Sequence, residues 1–361
     1  MLPAMSRHIS KGVAMQAIVL REYGPPGNLK LEEYPEPEPL KGEVLLRMGA
    51  VSVDLFQIEF RSGRALQLDL PRIIGNGPAG EVAQLGAEVD GLVVGQRVVV
   101  CNNVSCGACR YCRMGRETLC TGLRDHRGGV IGVHRDGGYA EYVSVPARNL
   151  LPLPETISFE QACLIPNTIG PVVKACSGRA RIRPGDNVLI VGAGGGMGLH
   201  AVQMARVCGG RVIAAIRSNR TRDAVLHAGA DEVFSTETMV LADETRRLTM
   251  GEGVDVVLDF VATRETLSAS LSALAPGGRL IIMGYFPRGN ILETPTWVFT
   301  EELVVTGNRS AGRQDVSEAI SLIESGRIKP IVAKVFPLKE AAHAHEAFEA
   351  REFVGRAVLK M

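Results

Sequence analysis

Residues 187–205 read NVLIVGAGGGMGLHAVQMA: an apolar run, a glycine-rich turn with glycines at 192, 195 and 198, and a stretch with helical periodicity. Such a turn needs glycine because the backbone takes positive φ, a pyrophosphate must approach the main chain, and the helix must pack closely on the strand. The helix N-terminus adds free N–H groups and partial positive charge. The stretch therefore predicts a dinucleotide-binding turn, with a purely structural turn as the alternative. The residues expected to bind are Gly192, Gly195, Gly196, Met197 and Gly198.

The sequence on the two sides of this turn differs in pattern. Downstream, apolar runs alternate with helical stretches through RVIAAI, TRDAVLHAGA, VDVVLDFV and RLIIMGYF, and the pattern stops near Arg309. Such alternation predicts a parallel sheet covered by helices. Upstream, from Met15 to about Leu153, short runs such as QAIVL, GEVLLRM and QRVVV are separated by Gly- and Pro-rich turns, which predicts an antiparallel, barrel-like domain. The predicted fold class is α/β, with a β-barrel domain and a doubly wound parallel-sheet domain.

The composition argues against several kinds of partner. The 361 residues include 40 Lys and Arg against 39 Asp and Glu, so no global charge favours a nucleic acid or an anionic membrane. No apolar run approaches the roughly 18 residues that a bilayer span needs, and the N-terminus lacks a secretory signal. We therefore expect a cytoplasmic protein whose partner is a small-molecule substrate, with no nucleic acid and no membrane.

The strand RVIAAI ends at a basic edge. Arg217, Ser218, Asn219 and Arg220 follow it, and the first acidic residue is Asp223. NAD binders place an Asp or Glu at such an edge to bind the ribose 2′-hydroxyl, whereas two arginines and a serine suit a 2′-phosphate. We therefore predict NADPH as the cofactor, bound by Arg217, Ser218 and Arg220. The alternative is that these arginines form an ordinary solvated surface.

Residues 105–120 read SCGACRYCRMGRETLC, which places four cysteines in one loop with C-x2-C-x2-C-x7-C spacing. Four thiolates complete the tetrahedral shell of zinc and leave no position open to water or substrate. We therefore predict one structural zinc per chain, with an iron–sulfur or redox function as the alternative. The four predicted ligands are Cys106, Cys109, Cys112 and Cys120. The four other cysteines are expected to be small buried side chains.

Three further stretches carry a resemblance to a known family: GGYAEYV at 137–143, GVDVVLD at 253–259 and APGGRLIIMG at 275–284. Together with the glycine turn and the cysteine loop, they resemble the medium-chain dehydrogenase/reductase superfamily, which includes zinc-type alcohol dehydrogenases and quinone reductases. The resemblance covers Met15–Met361. It implies a GroES-like catalytic domain, an inserted Rossmann domain, an active site in the cleft between them, and a homo-oligomer, either dimer or tetramer. The expected boundaries are 1–14 for an N-terminal tail, 15–157 and 310–361 for the GroES-like domain with a zinc loop at 101–125, and 158–309 for the Rossmann NADP-binding domain.

The resemblance also shows what this chain lacks. Zinc-dependent members carry a second, catalytic zinc, but here Val51 stands in the position of its Cys ligand, and Asn76 and Gly77 replace its His and Glu. The third ligand position falls near Pro166, and no Cys or His occurs between Gln16 and Val100. Without a metal to stabilise an alkoxide, hydride transfer to an alkene conjugated to a carbonyl is favoured, because the enolate spreads its charge.

We therefore predict an NADPH-dependent reductase of activated C=C bonds, such as enones, enals and enoyl thioesters, or of quinones. Alcohol oxidation or carbonyl reduction is one alternative, because many zinc-free relatives lack the cysteine loop. A non-catalytic NADPH-binding protein is another.

Five residues are candidates for the site. By resemblance, Asn76 is expected to donate its amide to a carbonyl oxygen, with a turn cap as the alternative. Asp54 is expected to be mainly the N-cap of a helix beginning at DLFQIEF. Asn167 and Thr168 are expected near the nicotinamide or the substrate oxygen, with packing as the alternative. Arg356 matches a basic position that contacts the cofactor pyrophosphate in relatives, or it is a strand-edge charge.

Overall fold

The computed structural model describes residues 9–64, 67–124, 129–284 and 296–361, and the chain divides into two compact units. The barrel unit comprises the chain up to Asn167, together with Ala311–Ile320 and Val332–Met361. The parallel-sheet unit comprises Thr168–Ser310 and Ser321–Ile331. Each unit is therefore discontinuous in sequence.

The strands of the described residues are, in chain order, β1 (Ile9–Leu20), β2 (Leu29–Pro37), β3 (Glu43–Val53), β4 (Arg72–Ile73), β5 (Ala79–Leu85), β6 (Arg97–Val100), β7 (Tyr142–Pro146), β8 (Leu150–Pro152), β9 (Asn187–Val191), β10 (Arg211–Ile216), β11 (Glu232–Ser235), β12 (Val254–Asp259), β13 (Leu274–Ile282), β14 (Val304–Gly307), β15 (Val332–Pro337) and β16 (Arg356–Lys360).

The α-helices of the same residues are α1 (Leu55–Ser62), α2 (Arg110–Arg113), α3 (Thr121–Arg124), α4 (Phe159–Ala162), α5 (Gly170–Val173), α6 (Gly196–Val207), α7 (Arg222–His227), α8 (Leu241–Leu248), α9 (Arg264–Ser272), α10 (Trp297–Thr300), α11 (Arg313–Glu324) and α12 (Ala341–Glu349). Two π-helical turns flank α5, at Ile165–Ile169 and Lys174–Ala180. No helix in these parts of the chain combines the length and the apolar character that a bilayer span requires.

The barrel unit is organised around β3, which pairs antiparallel with β5, β7 and β16. Its larger sheet runs β15-β16-β3-β5-β6-β8, and a smaller sheet runs β2-β1-β4. Nearly every side chain of β3 is buried. Side chains of both sheets, such as Ile18 and Leu46, form one apolar cluster with Ile74 and Tyr139 of the adjoining segments, and such a cluster is the main source of stabilisation for a domain.

The parallel-sheet unit contains six strands in the order β11-β10-β9-β12-β13-β14, all parallel. In chain order this is 3-2-1-4-5-6, the arrangement of the Rossmann fold. The central strand β9 has the sequence NVLIV, with four of its five residues buried, because helices cover both faces of such a sheet. The α/β prediction of a barrel domain and a doubly wound domain is therefore confirmed.

The compact units differ from the expected domain boundaries at two segments. Residues 158–167 belong with the barrel unit, where the ring of Phe159 packs against Gly49 and Lys360 pairs with Glu160 at 2.7 Å. Residues 321–331 belong with the parallel-sheet unit, because Gln203 of α6 bonds both main-chain groups of Lys329, at 2.7 and 3.0 Å. These contacts join segments that are distant in sequence.

The first strand also begins earlier than expected. β1 starts at Ile9, inside the segment 1–14 interpreted as a tail, because its pairing with β2 continues past Ala14 through a register shift. Residues 1–8 of that segment, and Asp125 of the expected zinc loop, lie outside the described residues. The predicted helix after Asp54 is present as α1.

Candidate active site and metal centre

The four predicted zinc ligands come together in the barrel unit. Their sulfur atoms all lie within 4.8 Å of one another. Tetrahedral zinc with Zn–S bonds of about 2.3 Å requires sulfur separations of about 3.8 Å. The Cys106 and Cys112 sulfurs are 3.9 Å apart, and those of Cys109 and Cys112 are 3.5 Å apart. This donor set fits zinc with a closed coordination shell, and the four cysteines would hold it as a structural ion.

Main-chain N–H groups of the loop support thiolate formation. The Cys106 N–H donates to the Cys120 sulfur at 3.2 Å, and the Cys109 N–H donates to the Cys106 sulfur at 3.3 Å. Such bonds from Cys112 and Thr121 lower the pKa of Cys109 to about 5. Burial, followed by neighbouring thiols, raises the pKa of Cys112 to about 12, so a bound cation is needed for all four sulfurs to be thiolates together.

The glycine turn has the geometry that a dinucleotide requires. Gly192 follows β9 with φ of +82°, a conformation that other residues rarely adopt. A Cβ atom on Gly198 would lie 2.4 Å from the Gly192 carbonyl oxygen, so only glycine fits there. The Gly195 N–H donates to the Gly192 carbonyl oxygen at 3.1 Å, but no side chain caps the N-terminus of α6, which leaves the N–H groups of Gly196 and Met197 for an anion. These residues therefore fit a pyrophosphate.

The basic edge after β10 is accessible. Arg217, Asn219 and Arg220 are exposed and Ser218 is half-buried. The Arg217 guanidinium lies 3.7 Å from the Glu237 carboxylate in a solvent-exposed pair, which is a weak interaction that a phosphate can replace.

In the barrel unit, five residues form a group that we call the amide cluster: the buried Ser52, Asp54, Asn76 and Asn102, and the half-buried Asn167. Asn102 accepts a hydrogen bond from the Gly77 N–H at 2.6 Å and donates to the Oδ1 atom of Asn167. Asn167 donates to the Oδ2 atom of Asp54 at 3.5 Å, and Ser52 donates to the Asn76 carbonyl oxygen at 3.3 Å. The predicted residues Asn76, Asp54 and Asn167 are thus close together.

The Asn76 side chain is 7% exposed, and its Oδ1 atom has no hydrogen-bond partner among the described residues. This atom lies against Gly132, where a Cβ atom would be 2.5 Å away. The unpartnered atom is a hydrogen-bond acceptor, so it does not itself identify a donor for a carbonyl oxygen. The contact of the Asn76 amide with a substrate stays a prediction.

Asp54 is the N-cap of α1, as predicted. Its Oδ1 atom accepts from the N–H groups of Phe56 and Gln57 at 2.9 and 3.4 Å, and the Gln57 side chain completes a capping box. Burial raises the pKa of Asp54, while the Arg356 charge and the hydrogen bonds oppose this shift. Arg356 is itself buried at the start of β16, with its pKa lowered by burial. Its predicted contact with a pyrophosphate stays a prediction.

The donor set does not fit a catalytic zinc. Among the described residues, the four cysteines of the loop are the only group of three or more His, Cys, Asp or Glu residues able to hold a metal. Cys101 and Cys163 are buried, and neither belongs to such a group. Gly77 has φ of +75°, and a Cβ atom there would lie 2.7 Å from the Cys163 carbonyl oxygen. The backbone therefore opposes a glutamate ligand at position 77.

Thr168 belongs to the other unit. It is fully buried in the first π-helical turn, and its hydroxyl oxygen has no partner among the described residues. π-Helical turns are frequent at functional sites, which agrees with a role for this segment. A contact of Thr168 with the nicotinamide stays a prediction.

Three residues that the structure brings to these sites were not predicted from the sequence. Asn102 and Ser52 belong to the amide cluster, and Gly194 belongs to the glycine turn, where a Cβ atom would lie 2.2 Å from the Thr221 hydroxyl oxygen. The run of three glycines at 194–196 was a usable signal for Gly194. Asn102 is separated from its partners by 25 and 65 residues, so its contacts leave no local pattern.

Comparison with known proteins agrees with these observations. The zinc-binding dehydrogenase family model matches residues 196–325, and the alcohol dehydrogenase GroES-like domain model matches residues 40–155. An NAD-dependent alcohol dehydrogenase of Sulfurisphaera tokodaii is 33% identical over 96% of this chain and 99% of its own. An acryloyl-coenzyme A reductase of the same organism is 29% identical over 96% of this chain and 100% of its own. The crystal structure of AibC matches with a TM-score of 0.90 and 36% identity, over 98% of this chain and 99% of the other.

Proposed function

Because this chain belongs to the medium-chain dehydrogenase/reductase family of oxidoreductases, we propose that it transfers hydride from NADPH to an activated C=C bond without a catalytic metal. The substrate class is an enone, enal, enoyl thioester or quinone. The observation that carries the proposal is the buried carboxamide of Asn76, a residue for which the sequence resemblance expects a metal-binding His in zinc-dependent members of the family.

The chemistry suits this carboxamide. Hydride adds to the β-carbon of the alkene, the π electrons move to the carbonyl oxygen as an enolate, and a proton from water completes the reaction at the α-carbon. Bound NADPH would supply the hydride and become NADP⁺. The Asn76 amide donates a hydrogen bond to the enolate oxygen, a contribution on the order of 3 kcal/mol for a well-placed donor. An alkoxide is far more basic than an enolate, so it calls for a metal ion or a positioned proton donor, whereas an enolate can be stabilised by a neutral amide.

Two observations support NADPH and C=C reduction. The edge after β10 carries the exposed Arg217 and Arg220 and no acidic residue before Asp223, which favours a 2′-phosphate. An acryloyl-coenzyme A reductase, whose name indicates an α,β-unsaturated thioester, is similar over nearly the full length of both chains. The closed zinc site has a structural role in this proposal and takes no part in the reaction.

A second candidate function is alcohol oxidation or carbonyl reduction with NAD(P). The similarity to an enzyme named NAD-dependent alcohol dehydrogenase favours it. The two candidates differ in substrate: an enone tests the first, and the saturated ketone with the same carbon skeleton tests the second.

The experiment compares Asn76→Asp and Asn76→Ala with the parent protein in single-turnover reactions with NADPH and an enone. Asn76→Asp keeps the shape of the side chain but replaces the donor with an acceptor. We expect the hydride-transfer rate to fall by about 100-fold, while the Kd for NADPH stays within twofold. Unchanged rates in both variants would remove Asn76 from the reaction.

The cofactor is tested separately with Arg217→Asp. We expect the ratio of the Michaelis constants for NADPH and NADH to rise at least tenfold, because one charge-assisted contact to the 2′-phosphate is lost. Arg183→Asp, which changes an exposed arginine before β9, is the control. Equal ratios in the two variants would contradict the assignment of Arg217 to the 2′-phosphate.

The expected homo-oligomer of two or four copies stays a prediction, which light scattering can test.

A further inference from the structure

We propose that Asn102, together with Ser52, is a positioning residue that fixes the Asn76–Gly77 peptide and thereby aims the Asn76 carboxamide at the substrate. The inference rests on the proposed function, because it concerns the same donor. Neither residue is required to touch substrate or cofactor.

The Asn76–Gly77 peptide is held from both sides. Its carbonyl oxygen accepts from the Ser52 hydroxyl at 3.3 Å, and its N–H donates to the Asn102 Oδ1 atom at 2.6 Å. Ser52 is fully buried and Asn102 is 3% exposed, so water does not compete readily for these bonds. Two bonds on opposite edges fix the rotation of a peptide plane, and this rotation sets where the Asn76 side chain leaves the backbone.

The Gly77 N–H group determines which end of each side-chain amide in the cluster is the oxygen and which is the nitrogen. A main-chain N–H group can only donate, so the atom of Asn102 that faces Gly77 must be the oxygen. The amide nitrogen of Asn102 therefore faces Asn167 and donates to its Oδ1 atom. By the same argument the Asn167 nitrogen faces the Asp54 carboxylate, at 3.5 Å. The three bonds point in one direction, an arrangement in which each bond polarises the next.

The chain of amides ends on a fixed group. Asp54 is tied to the start of α1 by two main-chain N–H groups, and Arg356 provides the charge that opposes its desolvation. The carboxylate is therefore anchored to a helix instead of being free to rotate. Through Asn167 and Asn102, this anchor determines the position of the Gly77 N–H.

Gly77 shows why such support is needed. Its φ of +75° and the nearby Cys163 carbonyl oxygen mean that the turn depends on a conformation that most residues avoid. A glycine turn is intrinsically flexible, because glycine has the widest choice of backbone conformations. The bonds from Ser52 and Asn102 select one of these conformations, and the Asn76 carboxamide is placed accordingly.

The test measures single-turnover hydride transfer from NADPH to an enone in Asn102→Ala, Ser52→Ala and the double variant. The matched control is Asn103→Ala, which removes the neighbouring buried asparagine, whose Nδ2 atom bonds to the Ala311 carbonyl oxygen outside the cluster. We expect each cluster variant to lose about 10- to 100-fold in the hydride-transfer rate, with the Michaelis constant for NADPH unchanged. We expect Asn103→Ala to lose thermal stability without this loss of rate.

A second readout separates positioning from a general loss of folding. With NADPH deuterated at the transferred position, we expect the isotope effect on steady-state kcat/KM to rise in the cluster variants, because the hydride step becomes slower. We expect the same isotope effect to stay unchanged in Asn103→Ala. Rates and isotope effects equal to those of Asn103→Ala would overturn the inference. If Asn102→Ala does not fold, Ser52→Ala carries the test, because it breaks only the other bond to the same peptide. Absence of enone reduction in the parent protein would instead refute the proposed function.

Discussion

The sequence resemblance matches Gly77 to a position where zinc-dependent members of the family are expected to carry a glutamate. The Gly77 backbone is left-handed, its N–H is bonded to Asn102, and a side chain would meet the Cys163 carbonyl oxygen at 2.7 Å. A glutamate would therefore need a change of backbone conformation in addition to a change of side chain. Gly77 thus supports the amide cluster through its N–H and leaves no space for a side chain at this position.

Gly77→Ala tests this requirement, with Gly91→Ala as the control. Gly91 has nearly the same φ, +76°, but a Cβ atom there meets nothing within 4 Å. Both variants incur the cost of a left-handed alanine, about 1–2 kcal/mol. We expect Gly77→Ala to lower the free energy of unfolding by a further 1 kcal/mol or more, about the cost of overpacking. If urea denaturation gives the same loss of unfolding free energy in both variants, a side chain at position 77 does not clash with the Cys163 carbonyl oxygen.

In the described residues between β6 and β7 the helices are short, so we expect a bound zinc ion to provide much of the order of the cysteine loop. Cys109→Ser removes one ligand from a closed site, and we expect zinc content and melting temperature to fall together. Cys208→Ser, which changes a cysteine outside the cluster, is the control and should retain both. A Cys109→Ser protein with the zinc content of the parent would contradict the assignment of these ligands.

Helix α12 places a histidine in the core of the barrel unit. His345 is fully buried and its Nε2 atom is 2.9 Å from the Tyr139 hydroxyl. Burial, and then the nearby charge of Arg61, lowers the pKa of His345 to about 3 from its usual 6.5. The unfolded chain therefore takes up a proton below about pH 6.5 that the folded chain does not accept until about pH 3.

This difference makes acid destabilising. The free energy of unfolding should fall as pH falls from about 6.5 toward 3, by at most about 5 kcal/mol from this group. His345→Gln removes the titrating group, so we expect a weaker pH dependence across the same window. The measurement is urea denaturation at several pH values. Parallel curves for the parent and His345→Gln would show that the histidine is not buried in its neutral form.

Across the molecule, sites whose residues lie close together in the sequence could be predicted, and contacts between residues far apart in the sequence could not. The glycine turn and the four cysteines are each contained in one short stretch, so their spacing alone indicated a dinucleotide site and a closed metal site. Asn102 was missed because nothing in the sequence CNNV distinguishes it from Asn103; only the fold brings one of the two to Gly77. The position of residues 321–331 was missed for the same reason, since it depends on bonds between Gln203 and Lys329.

The most direct test of metal-free C=C reduction is NADPH oxidation by protein of known zinc content, with an enone and with its saturated ketone, before and after mild chelation. Our account predicts about one zinc per chain, turnover of the enone that chelation leaves unchanged while the loop retains its ion, and little turnover of the ketone. About two zinc ions per chain, or ketone turnover that chelation abolishes, would contradict it and establish a catalytic metal.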